Sequence, residues 1–234
     1  MDIASSWGGG VDISVVAPGI VAPGGQKLAL NDTGDGVLVW YKDHGVQKLM
    51  AVGLAASRGC IAWMSDGYGK AWDISSLPNL SFSGQVTTNM TDAEIDTLSG
   101  SASNTAKLNT DMIVQALSED LDSSAAVIYC REQSVAGHAC SLPNMNQLRR
   151  IYALRGVIDS LDPTASSNTV YELSNWGFRA SGASSYCWSS NECDGSSAWT
   201  VESSGLANPH DKLVAFGVIP ILELDPVTLT PLSS

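Results

Sequence analysis

Tyr186-Cys187-Trp188-Ser189-Ser190-Asn191-Glu192-Cys193-Asp194-Gly195-Ser196-Ser197-Ala198-Trp199 decides how the rest of the chain is read. Two tryptophans flank a short polar run of Ser, Asn, Asp and Gly. That pattern predicts two strands joined by a solvent-facing loop, each strand anchored in a core by its aromatics. Further on, Lys212-Leu213-Val214-Ala215-Phe216-Gly217-Val218-Ile219-Pro220-Ile221-Leu222 is nearly all apolar and predicts a strand buried on both sides. Together these segments predict a small antiparallel sheet whose connections carry the polar groups. Such an architecture displays loops, and the stretch holds no evident catalytic machinery.

Around this stretch lie 234 residues, enough for one large domain or one domain with a smaller appendage. The net charge is -12, and the 12 Lys and Arg are scattered rather than clustered, so a nucleic-acid partner is not expected. Charged residues make up only 15%, below the usual quarter or so, while Ser, Thr, Asn and Gly abound. This is the composition of a β-rich protein with long polar loops. Met1-Asp2-Ile3-Ala4-Ser5-Ser6-Trp7 has neither a basic segment nor a continuous apolar one, so a secretory signal is not expected. No apolar run approaches the roughly 20 residues of a membrane span. A protein of this kind working outside a cell would reach it within something assembled inside one, or its leader would be lost from the chain as given.

Five cysteines are an odd number and do not suggest a disulfide framework. Cys187 could pair with Cys193 across the hairpin loop, and Cys130 with Cys140, but buried thiols are the simpler reading. The spacings lack the paired cysteines of a zinc site, and His44, His138 and His210 stand alone, so no metal or other cofactor is expected. Asn31-Asp32-Thr33-Gly34-Asp35-Gly36 has the outline of a calcium loop. Its twelfth position falls on Lys42, where a bidentate Glu is needed, and the segment reads as a turn.

Residues 1–36 form an arm broken by Gly8-Gly9-Gly10, Pro18-Gly19 and Pro23-Gly24-Gly25, either flexible or able to add strands to a partner or a symmetry mate. Val37-Leu38-Val39-Trp40-Tyr41 and Lys48-Leu49-Met50-Ala51-Val52-Gly53-Leu54 flank a turn and predict a hairpin. Thr91 with Glu94 predicts a capped short helix over 92–98. Thr110-Asp111 can cap a helix carrying Ile113, Ala116, Leu117 and Leu121 on one stripe. Ala125-Ala126-Val127-Ile128-Tyr129-Cys130 fits a helix or a strand.

Ser141-Leu142-Pro143-Asn144 opens the strongest helix, with Leu148, Ile151, Leu154 or Arg155, Ile158 and Leu161 at helical spacing and Pro163 as its stop. Gln147, Arg149 and Arg150 are expected to face out, and Arg149, Arg150 and Arg155 to form a solvated face pairing with acids. Residues 164–184 form a long polar segment interrupted by Tyr171, Trp176 and Phe178. A loop of that length in a compact domain tends to be functional.

The order of these elements resembles the C-type-lectin-fold domains common in gut-bacterial surface proteins and their phages. The resemblance covers roughly residues 35–225. It rests on the hairpin at 37–54, the helix at 109–121, the Ser141-Leu142-Pro143-Asn144 helix start, Trp188-Ser189-Ser190-Asn191-Glu192, Ala198-Trp199, and Val218-Ile219-Pro220-Ile221-Leu222. The family's counterparts are a Leu-Pro-Ser-like helix start, a Trp-Ser-Ser-Thr/Ser-Glu run, an Ala-Trp pair and a Val-Arg-Pro-Val-like last strand. Val218-Ile219-Pro220 lacks that arginine. The resemblance implies an α+β fold in which two helices pack on a small twisted antiparallel sheet with long loops. The extended arm at 1–36 would precede a lectin-like domain at 37–225 and a tail at 226–234. Relatives of the family include phage receptor-binding proteins and formylglycine-generating enzymes, and fold alone does not choose between them.

The leading expectation is a non-enzymatic virion protein, a head or tail fibre or capsid decoration subunit. Its arm would dock on other virion proteins, and its lectin-like domain would bind a host-surface glycan or protein. Asn191, Glu192, Asp194 and Ser196 are the candidate contacts, with Asn208 and His210 on the adjoining loop. Tyr171, Trp176 or Tyr186 would stack on a sugar, and Trp188 and Trp199 belong to the core. The Glu-Pro-Asn motif of animal lectins is missing, so calcium dependence is not expected. Analogy with fibres suggests a homo-oligomer, most simply a trimer. A bacterial adhesin or pilus-like subunit is the second reading. The third is a formylglycine-generating-type enzyme with Cys187 and Cys193 as a copper-binding thiolate pair. That family's Arg-Gly-Gly-Ser and Cys-Arg patterns are missing, and Asp194 beside Cys193 would raise the thiol pKa.

Overall fold

Asp43-His44-Gly45-Val46 is the turn of the first hairpin. His44 (φ 48°) and Gly45 (φ 81°) both take left-handed conformations, which matches the twist of a two-residue hairpin. The protein, seen here as a computed structural model, is described over residues 14–16, 36–54, 57–64, 71, 73–102, 104–117, 125–135, 137–162, 186–228 and 230–232. Tyr171, Trp176 and the long segment at 164–184 lie outside the described residues.

In chain order the strands are Ser14–Val16 (β1), Gly36–Asp43 (β2), Val46–Gly53 (β3) and Gly59–Ala62 (β4). The helices Asp92–Asp96 (α1), Ala106–Leu117 (α2) and Ala126–Glu132 (α3) follow, so the ambiguous segment at 125–130 is helical. Ser134–Val135 (β5) and His138–Ala139 (β6) then precede the long helix Met145–Leu161 (α4). Tyr186–Glu192 (β7), Ser197–Glu202 (β8), Ala207–Asp211 (β9), Ala215–Val218 (β10) and Ile221–Leu224 (β11) complete the chain. The fold is mixed α+β.

Two principal sheets result, one ordered β1-β2-β3-β11 and the other β4-β10-β7-β8-β9. The first is apolar on both faces. Val37, Val39, Tyr41, Met50 and Val52 join the α4 core, while Leu38, Leu49, Ala51, Leu222 and Leu224 pack with Val135 and Cys140 beside the β5–β6 hairpin. Alternation at period two divides the strand residues between these cores. In the second sheet β10 runs parallel to β7, so the expected all-antiparallel sheet is instead mixed.

The apolar run at 212–222 also differs from the single strand expected. It forms β10 and β11, which belong to different sheets. The switch falls at Ile219-Pro220: proline has no N–H for a ladder, and the Pro220 carbonyl instead accepts from Gly53 N–H at 2.8 Å. The C-terminal residues fold back on β11, with Asp225 N–H donating to Thr230 O and Leu232 N–H to Glu223 O.

Asn144 caps α4 through a reciprocal pair: its side chain accepts from Gln147 N–H at 3.0 Å, and its own N–H donates to Gln147 at 2.9 Å. The expected outward face of this helix is corrected, because Gln147, Arg149 and Arg150 are 1%, 1% and 0% exposed. α4 packs on β7 and β8 and also on β2 and α1, which encloses the side opposite its apolar stripe. Arg150 meets Asp92 (2.9 Å) and Asp96 (2.6 Å), donates to Lys42 O, and lies over the Tyr41 ring. Arg149 donates to Ser83 O and Ser99 O beside Phe82; burial and the neighbouring Arg150 lower its pKa to about 10. Arg155, partly exposed, lies over the Tyr152 ring.

Candidate functional site

The β7–β8 turn forms where the sequence put it, at 193–196, but its first strand runs further than a simple hairpin would. Trp188 pairs with Thr200 while Glu192 pairs with Ala198, so the intervening residues of β7 bulge against a shorter stretch of β8. The bulge turns polar side chains inward. Asn191 Oδ1 accepts from Met145 N–H at the start of α4 (2.7 Å), and Ser190 Oγ accepts from Asn109 (3.1 Å). Asn191 and Glu192 are 2% and 0% exposed, which corrects their expected place on a ligand-contacting loop.

Glu192 is held by an ion pair to Lys212, whose ammonium also donates to Gly195 O (3.2 Å) and lies 5.1 Å from the Trp63 ring centroid. Ile74 N–H donates to the same carboxylate at 3.2 Å. Burial raises the Glu192 pKa against the opposing pull of Lys212. This network fastens the base of the turn from within. Asp194 and Ser196 are exposed, as expected, but Asp194 Oδ1 is occupied by Ser196 N–H, Ser196 Oγ and Ser197 N–H. Those bonds hold its carboxyl below the usual range and make it a turn former.

The other candidates come together on one face of the five-stranded sheet. Register places Tyr186 opposite Glu202, Thr200 opposite Asn208, and Ala198 opposite His210. Direct partners in an antiparallel pair share a face, so Tyr186, Glu202, Asn208 and His210 project on the side that also carries Trp188. Towards α2 and α3 that side is closed by Ile113, Leu117, Ala126 and Val127 packed on Trp188, Ala198, Phe216 and Val218. Away from the helices Tyr186, Glu202, Asn208 and His210 are each partly exposed.

Within this patch the Tyr186 and His210 rings lie 4.2 Å apart at 57°, and Phe216 is 5.0 Å from each. Asn208 Nδ2 donates to Glu202 at 2.9 Å, which leaves the second carboxylate oxygen and the amide oxygen for other partners. Burial lowers the His210 pKa, with Glu202 pulling the other way. Its enclosed Nε2 has no hydrogen-bond partner among the described residues. A neutral imidazole, a phenol ring, an amide and a carboxylate thus share one surface. Glu202 and Phe216 were missed in the sequence, although the alternation through Ala198-Trp199-Thr200-Val201-Glu202 places 198, 200 and 202 on one side.

Cys187 and Cys193 are not arranged for chemistry as a pair. Cys187 and Cys193 are six positions apart along and just beyond β7, roughly 15–20 Å, which is too far for a disulfide or a shared ion. Burial raises the pKa of both thiols, and Asp194 adds to the rise at Cys193. Asp43, His44 and Asp96 approach within 4.8 Å of one another. Their carboxylates already serve Asn146, Arg150 and the His44 N–H, so the group is the acid half of the Arg150 network. Among the described residues no helix is long and apolar enough to cross a membrane. No protein-family model, curated protein or solved structure matches the chain.

Proposed function

We propose that this protein is a non-enzymatic component of a phage particle, a head or tail fibre or capsid decoration subunit, and that a C-type-lectin-like domain in it binds a host-surface glycan. One observation carries the reading: Tyr186, Glu202, Asn208 and His210 share a partly exposed face of the five-stranded sheet. Sugar recognition needs an aromatic surface for the C–H face of the ring and planar polar groups for its hydroxyls, and this patch supplies both. Two further features support a lectin-like fold: β11 returns to pair with β3 of the first hairpin, and α2 and α4 pack on the sheets. The separation and raised pKa values of Cys187 and Cys193 weigh against the formylglycine-generating reading.

The test is binding of the full chain to a glycan array and to gut-bacterial cells, alongside Tyr186→Ala and His210→Ala. The expected result is saturable binding, competed by free sugar, that each substitution weakens about tenfold or more. Absence of binding, or equal binding by both variants, would overturn the assignment of the site. Mass spectrometry of particles washed in high salt addresses the location. Retention of the chain supports the virion role, and recovery only from cell envelopes favours an adhesin.

A further inference from the structure

We propose that the edge of β2 is a docking slot for the β1 strand of a second copy of this chain, so that neighbouring copies exchange their Ser14–Val16 segments. β1 is the outermost strand of its sheet. It pairs antiparallel with β2 through Ser14↔Trp40, Val15↔Val39 and Val16↔Leu38, and it also lies against α4. The strand it covers is buried at Val37, Leu38 and Val39, and such an edge recruits another strand when left bare. Further along β2 the backbone is engaged differently. Lys42 N–H donates to Asp92 at 2.5 Å and Lys42 O accepts from Arg150 at 3.0 Å, which restricts the slot to a short strand like β1.

The connection from Val16 to Gly36 decides which copy fills the slot. A hairpin loop of about two to five residues would commit β1 to its own chain. Residues 17–35 number nineteen, with Pro18, Pro23 and several glycines among them. Extended, that length reaches up to about 60 Å, far enough for a neighbouring molecule. The same backbone bonds form in either arrangement, so the choice balances loop closure against association. Identical copies concentrated in one particle, a step that rests on the proposed virion role, favour association. A reciprocal exchange fills both slots and closes with two-fold symmetry. This inference needs no ligand on the Tyr186 face, and either can fail alone.

The test uses the full chain in size-exclusion chromatography with light scattering, beside Val16→Pro, which removes the N–H that the register aims at Leu38 of β2. Wild type is expected to be oligomeric and Val16→Pro a folded monomer with its thermal transition retained. A second arm introduces Ser14→Cys and Trp40→Cys together in a Cys60→Ser background. On oxidation, chain-to-chain disulfides are expected on non-reducing gels. A monomeric wild type, an oligomer that Val16→Pro leaves intact, or a cross-link confined within single chains would overturn the exchange. None of these outcomes alters the glycan-binding test.

Discussion

Lys212 and Glu192 form an ion pair with both side chains wholly enclosed, directly under the turn that joins β7 to β8. Breaking such a pair on one side strands a charge away from water, whereas removing both charges does not. Lys212→Met is therefore expected to cost about 3–5 kcal/mol in urea unfolding. Adding Glu192→Gln, which can still accept from Ile74 N–H, is expected to restore most of that loss. Equal stability of the single and double variants would show that the pair is not the fastening.

Asp92 gives the fold an identifiable pH dependence. Burial raises its pKa to about 6, and the nearby Asp96 adds to the rise against the pull of Arg150 and Lys42 N–H. The folded chain thus binds a proton more tightly at this site than the unfolded one. Its contribution to stability is greatest below the unfolded pKa near 4 and is lost as pH rises through about 6. Relative to Asp92→Asn, which carries no such proton, wild type is expected to lose on the order of 2–3 kcal/mol between pH 4 and pH 7. Parallel stability profiles for the two proteins would remove Asp92 from the account.

The reach of sequence reasoning can be seen at these two sites. The turns at His44-Gly45 and Asp194-Gly195, and the start of α4 at Asn144, were legible because local chemistry determines them. The inward side of Arg149 and Arg150 was not. Helical periodicity located the apolar stripe, but only the arrival of β2 and α1 encloses the opposite side. Asn191 and Glu192 failed as surface candidates for a similar reason, since a bulge and a remote lysine turn them inward. Tyr186, Asn208 and His210 were legible by residue type, but the register that unites them with Glu202 is tertiary.

Thiol accessibility separates the five cysteines without any substitution. Cys60 is exposed and Cys193 partly so, while Cys130, Cys140 and Cys187 are buried. Burial also raises the pKa of Cys130 and Cys187, which suppresses the reactive thiolate. Alkylation of the native protein followed by peptide mass spectrometry is expected to modify Cys60 first and Cys193 next. The other three should react only on unfolding. Rapid native labelling of Cys187 would contradict the packing between α4 and the five-stranded sheet.

Gly205 tests the close approach of the β8–β9 turn to the rest of the molecule. It has φ +88°, its carbonyl accepts from Val86 N–H at 2.9 Å, and an added Cβ would collide with the Val86 carbonyl oxygen. Gly205→Ala combines left-handed strain with that collision and is expected to cost about 2–4 kcal/mol. Thermal unfolding reads the loss directly. Gly45→Ala, where the turn is open to solvent despite φ +81°, should cost less, about 1 kcal/mol.

The sheet switch at Ile219-Pro220 sets how the molecule carries mechanical load. It leaves β1 and β11, the first and last described strands, as the two outer strands of one sheet, while the Tyr186 face belongs to the other. Tension applied between the chain's ends pulls first on the β1–β2 and β11–β3 ladders. Tyr186, Glu202, Asn208 and His210 are carried on β7, β8 and β9, off that direct force path.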